Sequence, residues 1–456
     1  MNNLNVVNST SNGKLSFVEK FSYGIGDFAS NLMWGVIGSF LLYFYTDVAL
    51  IPVAATGTIF LVSRVLDAFI DPVIGGFIDR TNSKWGRTKP YIMFGIIPLC
   101  VFFILSFTTI SADASFKVMY AYLTYIIAGI LYSVVNIPYG ALMPLMTRNL
   151  DDKAQLSSFR MLGMALGNIL VTALTMPLVN LLGAGNQQRG FLLTTILFAV
   201  IGFISFMIIS KNCKERYLEV GSVSHEKISV IETYKAALKN GPWVSTIIFS
   251  LLMFIKIGAF VSITIFFCLQ VLHNPAMISI LLPLMYASML VSAAIATPVI
   301  KKFRHRNANI IGTAVYALSF CLMPLFVGNQ TVFIAIYFFG NILGGVSSGS
   351  VFGMIADSVD YNEWKFGKRS EGTLYAGYSF ATKVGMAVGG ALVGYALAFV
   401  GYNAANVTPS AVKAINILFY GIPVGCSVLQ ILSILFYKLD KTHPQIVEEL
   451  NNKRNA

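Results

Sequence analysis

The chain has 456 residues, 56% of them hydrophobic and only 11% charged. Soluble domains carry about a quarter charged residues, so a water-facing globular surface is excluded. The net charge of +12 raises the question of nucleic acid, which the placement of the bases answers. The first residues, MNNLNVVNSTSNGKLSFVEK, are polar and show no short apolar core with a cleavage site, so no signal peptide is expected. Five cysteines stand singly, without the spacing of a zinc site or a disulfide framework.

Apolar runs long enough to cross a hydrocarbon core of ~30 Å recur from end to end. They predict membrane helices over 23–45, 53–79, 90–110, 118–143, 157–183, 191–210, 243–271, 276–300, 307–328, 331–356, 373–399 and 412–437. Most of the 32 Lys and Arg fall at the termini and after the even-numbered spans, while the opposite connections hold only Lys117, Arg189 and Lys413. By the positive-inside rule both termini are expected in the cytoplasm. The basic excess is thus a topology signal, and no nucleic-acid partner is expected.

The first span carries a polar stripe at helical spacing, Asp27, Asn31, Trp34, Gly38 and Tyr45. The second reads "LVSRVLDAFIDP", with Arg64, Asp67 and Asp71 inside a segment built for hydrocarbon. A charge at the centre of a spanning helix costs about 2.5–3.5 kcal/mol, so such residues face the bundle interior or a wet cavity. At 100° per residue the three lie on one face. Two carboxylates there, beside a cation, can hold Na⁺ or share a proton; the alternative is a structural ion-pair network. The loop after this span carries Asp79, Arg80, Gly86 and Arg87.

The fourth span adds Tyr125, Gly129, Tyr132, Ser133, Asn136, Tyr139 and Gly140. Amides, hydroxyls and rings facing one cavity suit a sugar, whose faces stack on aromatics while its hydroxyls take hydrogen bonds. Further cations lie in spans at Arg160, Lys256 and Lys383, which sets the interior at Asp27, Asp67 and Asp71 against Arg64, Arg160, Lys256 and Lys383. That excess of cation leans towards an anionic sugar, a uronic-acid glycoside.

The one long charged connection, 211–242, divides a first set of six spans (23–210) from a second (243–437), after an N-terminal segment (1–22) and before a tail (438–456). The halves echo each other. "LVS" leading to "DPVI" at 61–74 returns as "LVS" leading to "TPVI" at 290–300, and Arg160-MLGMALG returns as Lys383-VGMAVGG. Six plus six helices with internal symmetry predict an all-α membrane protein of the major facilitator layout, with a site between the halves near the midplane.

"SYGIGDFASN", "FYTDV", "LVSRVLDAFIDP" with "SKWGRTKP", "VVNIPYGAL" and "ADSVDYNEWKFGKRSEG" together resemble the glycoside–pentoside–hexuronide:cation symporters of the major facilitator superfamily, from Phe21 to Asp440. Within that family the likeness is to bacterial carriers of isoprimeverose-type pentosides and of glucuronides. The resemblance implies a cation site at Asp67, Asp71 and Lys383, with H⁺ or Na⁺ as the coupling ion and no other cofactor. It implies a sugar site near Arg160, with Asn31 and Asn136 at positions that are acidic in the melibiose carrier and Gly140, beside Tyr139, where that carrier has tryptophan. Asp27, Trp34 and Lys256 complete the expected substrate set, and Arg64, Asp79, Arg80, Asp357 and Asp360 are expected in structural or gating roles. Asp357 and Asp360 are placed in the loop after the tenth span, pairing with bases of the first half when the cytoplasmic side is closed. The implied protein is a multi-pass symporter of the bacterial inner membrane, working as a monomer. Alternatives are a major facilitator carrier of a non-sugar substrate, a sensor, or an enzyme acting on lipid-linked sugars. An enzyme would need acid and base groups at a polar loop; His225, His273, His305 and His443 are all expected in loops, without a nucleophile beside them.

Overall fold

A computed structural model of the chain describes residues 14–217, 237–367 and 371–455. Ser16 opens α1 (Phe17–Tyr43) with a reciprocal capping box to Glu19, and a π-helical turn, Phe44–Val48, ends it. Then follow α2 (Val53–Arg80), α3 (Lys89–Ser106), α4 (Ala114–Met146), α5 (Leu150–Gly183) and α6 (Gln187–Asn212). The second half begins with α7 (Gly241–Gln270). The run Ile278–Leu322 is broken at Arg304, whose φ of 62° and ψ of 171° are not helical, and so comprises α8 (278–303) and α9 (305–322). It is followed by α10 (Gln330–Phe366), α11 (Glu371–Phe399), α12 (Pro409–Ile434) and α13 (Leu439–Asn455).

Ten segments among the described residues are long and apolar enough to cross a membrane, and one of them, Pro275–Phe326, contains both α8 and α9. With the 28-residue α2, these are the twelve spans expected. Helices α1–α6 pack on one another, as do α7–α12, and the two bundles meet chiefly where α2 lies along α11, α5 along the 278–322 run, and α1 along α7.

The repeated glycine motifs explain the bundles' shared geometry. A Cβ on Gly163 of α5 would lie 2.2 Å from the Gly24 carbonyl of α1, and one on Gly167 would lie 2.8 Å from that of Phe28. In the second half, a Cβ on Gly385 or Gly389 of α11 would strike the Leu251 or Ile255 carbonyl of α7, at 2.8 and 2.3 Å. Small residues let membrane helices approach to backbone contact, so "MLGMALG" and "VGMAVGG" make the same crossing, α5 on α1 and α11 on α7.

Two expectations are corrected at the end of the molecule that carries the termini, and one helix is added. Asp357 and Asp360 are helical, because α10 continues past its apolar stretch to Phe366. The tail is a helix, α13, whose Leu439, Ile446 and Leu450 are buried against Val351, Ile355 and Val359 of α10. His305 and His443 accordingly lie in helices rather than loops, while His225 is outside the described residues. His443 Nε2 stands 3.5 Å from Asp357 and 3.1 Å from Asp360, and the Tyr437 hydroxyl donates to Asp357 at 2.9 Å. These contacts come from α13 and the segment before it.

Candidate functional site

Between the bundles lies a cavity of about 150 Å³. From the first bundle α1 contributes Asn31, Trp34, Gly35 and Gly38, α2 Phe60, α4 Tyr125 and α5 Asn168; from the second come Ser262, Tyr286, Met386 and Gly390. Among the described residues lining it, none carries a charge. Trp34 is the platform of this space: its ring stacks on Tyr132 at 4.3 Å and on Tyr125 at 6.3 Å.

One acid of α2, Asp67, sits directly beside that platform. A Cβ on Gly129 of α4 would meet Ser63 Oγ at 3.3 Å, Asp67 Oδ1 at 3.5 Å and the Trp34 ring at 3.8 Å, so these groups converge on one point. Ser63, Asp67 and Asp71 follow at four-residue intervals on one helix face. Asp71 Oδ2 is paired with Lys383 Nζ of α11 across the bundle interface. Asp71 Oδ1 and Ser63 Oγ are buried without a hydrogen-bond partner among the described residues. Unpartnered oxygens in low dielectric are costly, and hard oxygens are what a small cation takes as ligands. Arg64 and Asp79 have side chains outside the described set, and Arg80 is exposed at the end of α2.

Behind the cavity, towards the termini, the Asp27 carboxylate accepts from both Arg160 Nε and Arg160 Nη2, and from the Tyr139 hydroxyl at 3.0 Å. Tyr139 is fully buried. Asn136 donates to Ser30 Oγ and the Tyr132 hydroxyl, at 3.0 and 3.1 Å, and so holds α4 to α1 while fixing one ring under Trp34. A Cβ on the neighbouring Gly140 would meet open space.

Lys256 is set apart from these groups. It points into the second bundle, donating to Gln430 Oε1 at 2.8 Å beneath the Tyr316 ring, beside a separate cavity of about 40 Å³. Tyr45 likewise lies away from the central space, in the π-helical turn. The structure thus brings Asn31, Trp34 and Asp67 together at the cavity, pairs Asp71 with Lys383 across the bundle interface, groups Asp27, Tyr139 and Arg160 separately, and leaves Lys256 elsewhere. It adds two residues the sequence reading missed, Ser63 and Asn168. Asn168 stands eight residues after Arg160, on the same face of α5, and that spacing was the only available signal.

The end of the cavity away from the termini is sealed. The Tyr402 hydroxyl donates to Asp47 at 2.7 Å, Thr58 and Tyr395 share a hydrogen bond of 2.8 Å, and a Cβ on Gly394 would lie 3.2 Å from the Gly57 backbone. Burial, and then the adjacent Asp47, hold the Tyr402 phenol protonated well above the ordinary tyrosine range, so it serves as a donor. On the termini side, Gly75 and Gly76 of α2 face open space, and the Lys383 side chain is 42% exposed despite its mid-helix position. Tyr402→Phe is expected to raise, at least threefold, the rate at which a cysteine at Gly38 reacts with a membrane-impermeant maleimide from the sealed side. A Cβ fits at Gly38, and an unchanged rate would show that this bond does not hold the closure.

The chain matches the MFS/sugar transport protein family over residues 22–441. It is 34% identical to the isoprimeverose transporter of Lactiplantibacillus pentosus, covering 95% of this chain and 91% of that protein. It is 31% identical to the glucuronide carrier protein homolog of Escherichia coli K12, covering 98% of each. Its fold is shared with a bacterial homologue of the human lysosomal transporter Spinster, at a TM-score of 0.68 and 12% identity over 93% of this chain and 96% of that one. On a match spanning both six-helix bundles, the chain belongs to the MFS/sugar transport protein family.

Proposed function

We propose that the chain is a secondary active transporter that carries a neutral glycoside across the bacterial inner membrane together with H⁺ or Na⁺, by alternating access. The observation that carries this is the adjacency of two different sites. An uncharged, aromatic-floored cavity suits a sugar, and the oxygens of Ser63 and Asp67 converge beside Trp34 at its edge, with Asp71 one turn further along the same helix face. Each ligand then helps to order the shared wall for the other, and such coupling is reciprocal.

The geometry weighs against the charge count that leaned towards a uronic acid. Arg160 is taken by Asp27 and Lys383 by Asp71, while Lys256 lies in a different cavity. The isoprimeverose transporter among the relatives is named for a pentoside, which agrees with a neutral cargo. The basic excess at the end that carries the termini supports a cytoplasmic location for both, and on that reading the sealed end faces outwards. One bundle pair encloses the whole cavity, which supports a monomeric working unit.

The test is uptake of labelled xylosides, galactosides, glucosides and glucuronides into vesicles holding the protein, under imposed Na⁺ or pH gradients. A neutral glycoside is expected to accumulate at least tenfold, driven by one of the two gradients. Uptake of glucuronide to the exclusion of neutral sugars would sink the neutral reading, and uptake of no sugar would sink the transporter of glycosides altogether.

A further inference from the structure

Asn168 occupies a position in the cavity that its packing does not explain. Its two amide hydrogens are spent within the protein, one on Asn31 Oδ1 at 2.9 Å and one on the Met164 carbonyl at 2.9 Å. Its own Oδ1 accepts no hydrogen bond from any described residue, yet it is not sealed away, since Asn168 lines the central cavity. Gly35 keeps it open: a Cβ there would come within 3.2 Å of that oxygen. Asn31 lines the same cavity, and of its two amide hydrogens one goes to the Asp27 carbonyl at 2.7 Å. The pair therefore presents one acceptor and one donor side by side, a turn from the Trp34 ring.

A purely structural link between α1 and α5 has no use for that arrangement. The crossing is already made by Gly163 and Gly167 against the α1 backbone. A buried amide whose carbonyl is left bare costs free energy that only a ligand or water recovers. Two adjacent hydroxyls on a pyranose ring offer the complementary pattern, since each can donate or accept. A carboxylate at either position would accept only, and an apolar residue would do neither.

We infer that Asn168, set beside the Asn31 already expected in the sugar site, determines substrate specificity by reading one hydroxyl of a vicinal diol of the glycoside. One hydroxyl donates to Asn168 Oδ1, and its neighbour accepts from Asn31 Nδ2. This rests on the glycoside reading above. A site built to hydrogen-bond a hydroxyl rejects the analogue lacking it, because its own polar groups are then stranded.

The experiment uses the full chain in vesicles and p-nitrophenyl glycosides of xylose, galactose and glucose, each with its monodeoxy derivatives, as competitors of uptake. In the wild-type protein at least one deoxy derivative of the best-transported glycoside is expected to compete tenfold or more worse than its parent. Asn168→Leu is expected to weaken the parent about tenfold and to abolish its advantage over that derivative, with the cation concentration for half-maximal uptake unchanged. Asn168→Asp, which keeps the acceptor, is expected to retain discrimination at the donating hydroxyl, and serves if the leucine variant does not reach the membrane. A merely structural asparagine would lower the affinity for parent and derivative alike, and discrimination surviving Asn168→Leu would overturn the assignment. If the wild-type protein takes up none of these sugars, the fault lies in the glycoside reading instead.

Discussion

Asp71→Asn is expected to abolish gradient-driven accumulation, at least tenfold in the steady-state ratio, while exchange of sugar across the membrane stays within about threefold of wild type. Asp71 holds two jobs at once. One oxygen pairs with Lys383 across the bundle interface, and the other is buried with no partner among the described residues, on the helix face it shares with Asp67 and Ser63. The amide keeps the shape but removes the charge that draws a cation to this face. Energetic coupling then vanishes, because the driving ion no longer binds one state better than another. The sugar cavity is lined by other residues, so passive exchange persists. Stranding Lys383 also has a cost, up to about 3–5 kcal/mol for a fully buried partner, and less here because its side chain reaches open space. The double variant Asp71→Asn/Lys383→Gln separates the two effects: it should restore protein in the membrane but not accumulation. Uphill uptake at full rate in the single variant would falsify the cation assignment.

The residues that could be read from sequence were those whose burial is expensive. Asp67, Asp71, Arg160 and Lys383 stand out in apolar runs because a charge in hydrocarbon demands a reason, and the structure pairs Arg160 with Asp27 and Lys383 with Asp71. Ser63 and Asn168 were not legible. A neutral polar side chain on a membrane helix costs little, and nothing in the string tells which face meets the cavity. Lys256 shows the converse. Its charge was visible, but Gly258, two residues on and 200° round the helix, faces the cavity while Lys256 faces α12. The helix α13 was missed because it is polar overall; its buried Leu439, Ile446 and Leu450 form a stripe only once the helix is assumed. The glycine motifs were recognised as a repeat, but their purpose, close crossing of α5 on α1 and α11 on α7, needs the second helix of each pair.

Arg160→Gln should greatly reduce the folded protein, and the paired change Asp27→Asn/Arg160→Gln should recover most of it. Asp27 is a buried carboxylate on α1 held by the Arg160 fork and the Tyr139 hydroxyl, with side-chain exposures of 13% for the acid and 29% for the base. Removing the guanidinium alone leaves an uncompensated charge in low dielectric, at about 3–5 kcal/mol. Arg160→Lys should rescue only in part, since an ammonium cannot donate along two parallel directions. The double variant removes both charges and leaves neutral groups that still hydrogen-bond. Its transport then decides between two roles for Arg160. If the arginine serves the fold by balancing Asp27, the neutral pair carries a neutral glycoside with an affinity within about threefold of wild type. If Arg160 is instead the anchor of an anionic sugar, the double variant folds, as thermal melting or membrane abundance would report, yet loses that sugar by tenfold or more. The bidentate geometry favours the first outcome, because Asp27 already balances the Arg160 charge and takes the Nε–Nη2 edge of its guanidinium.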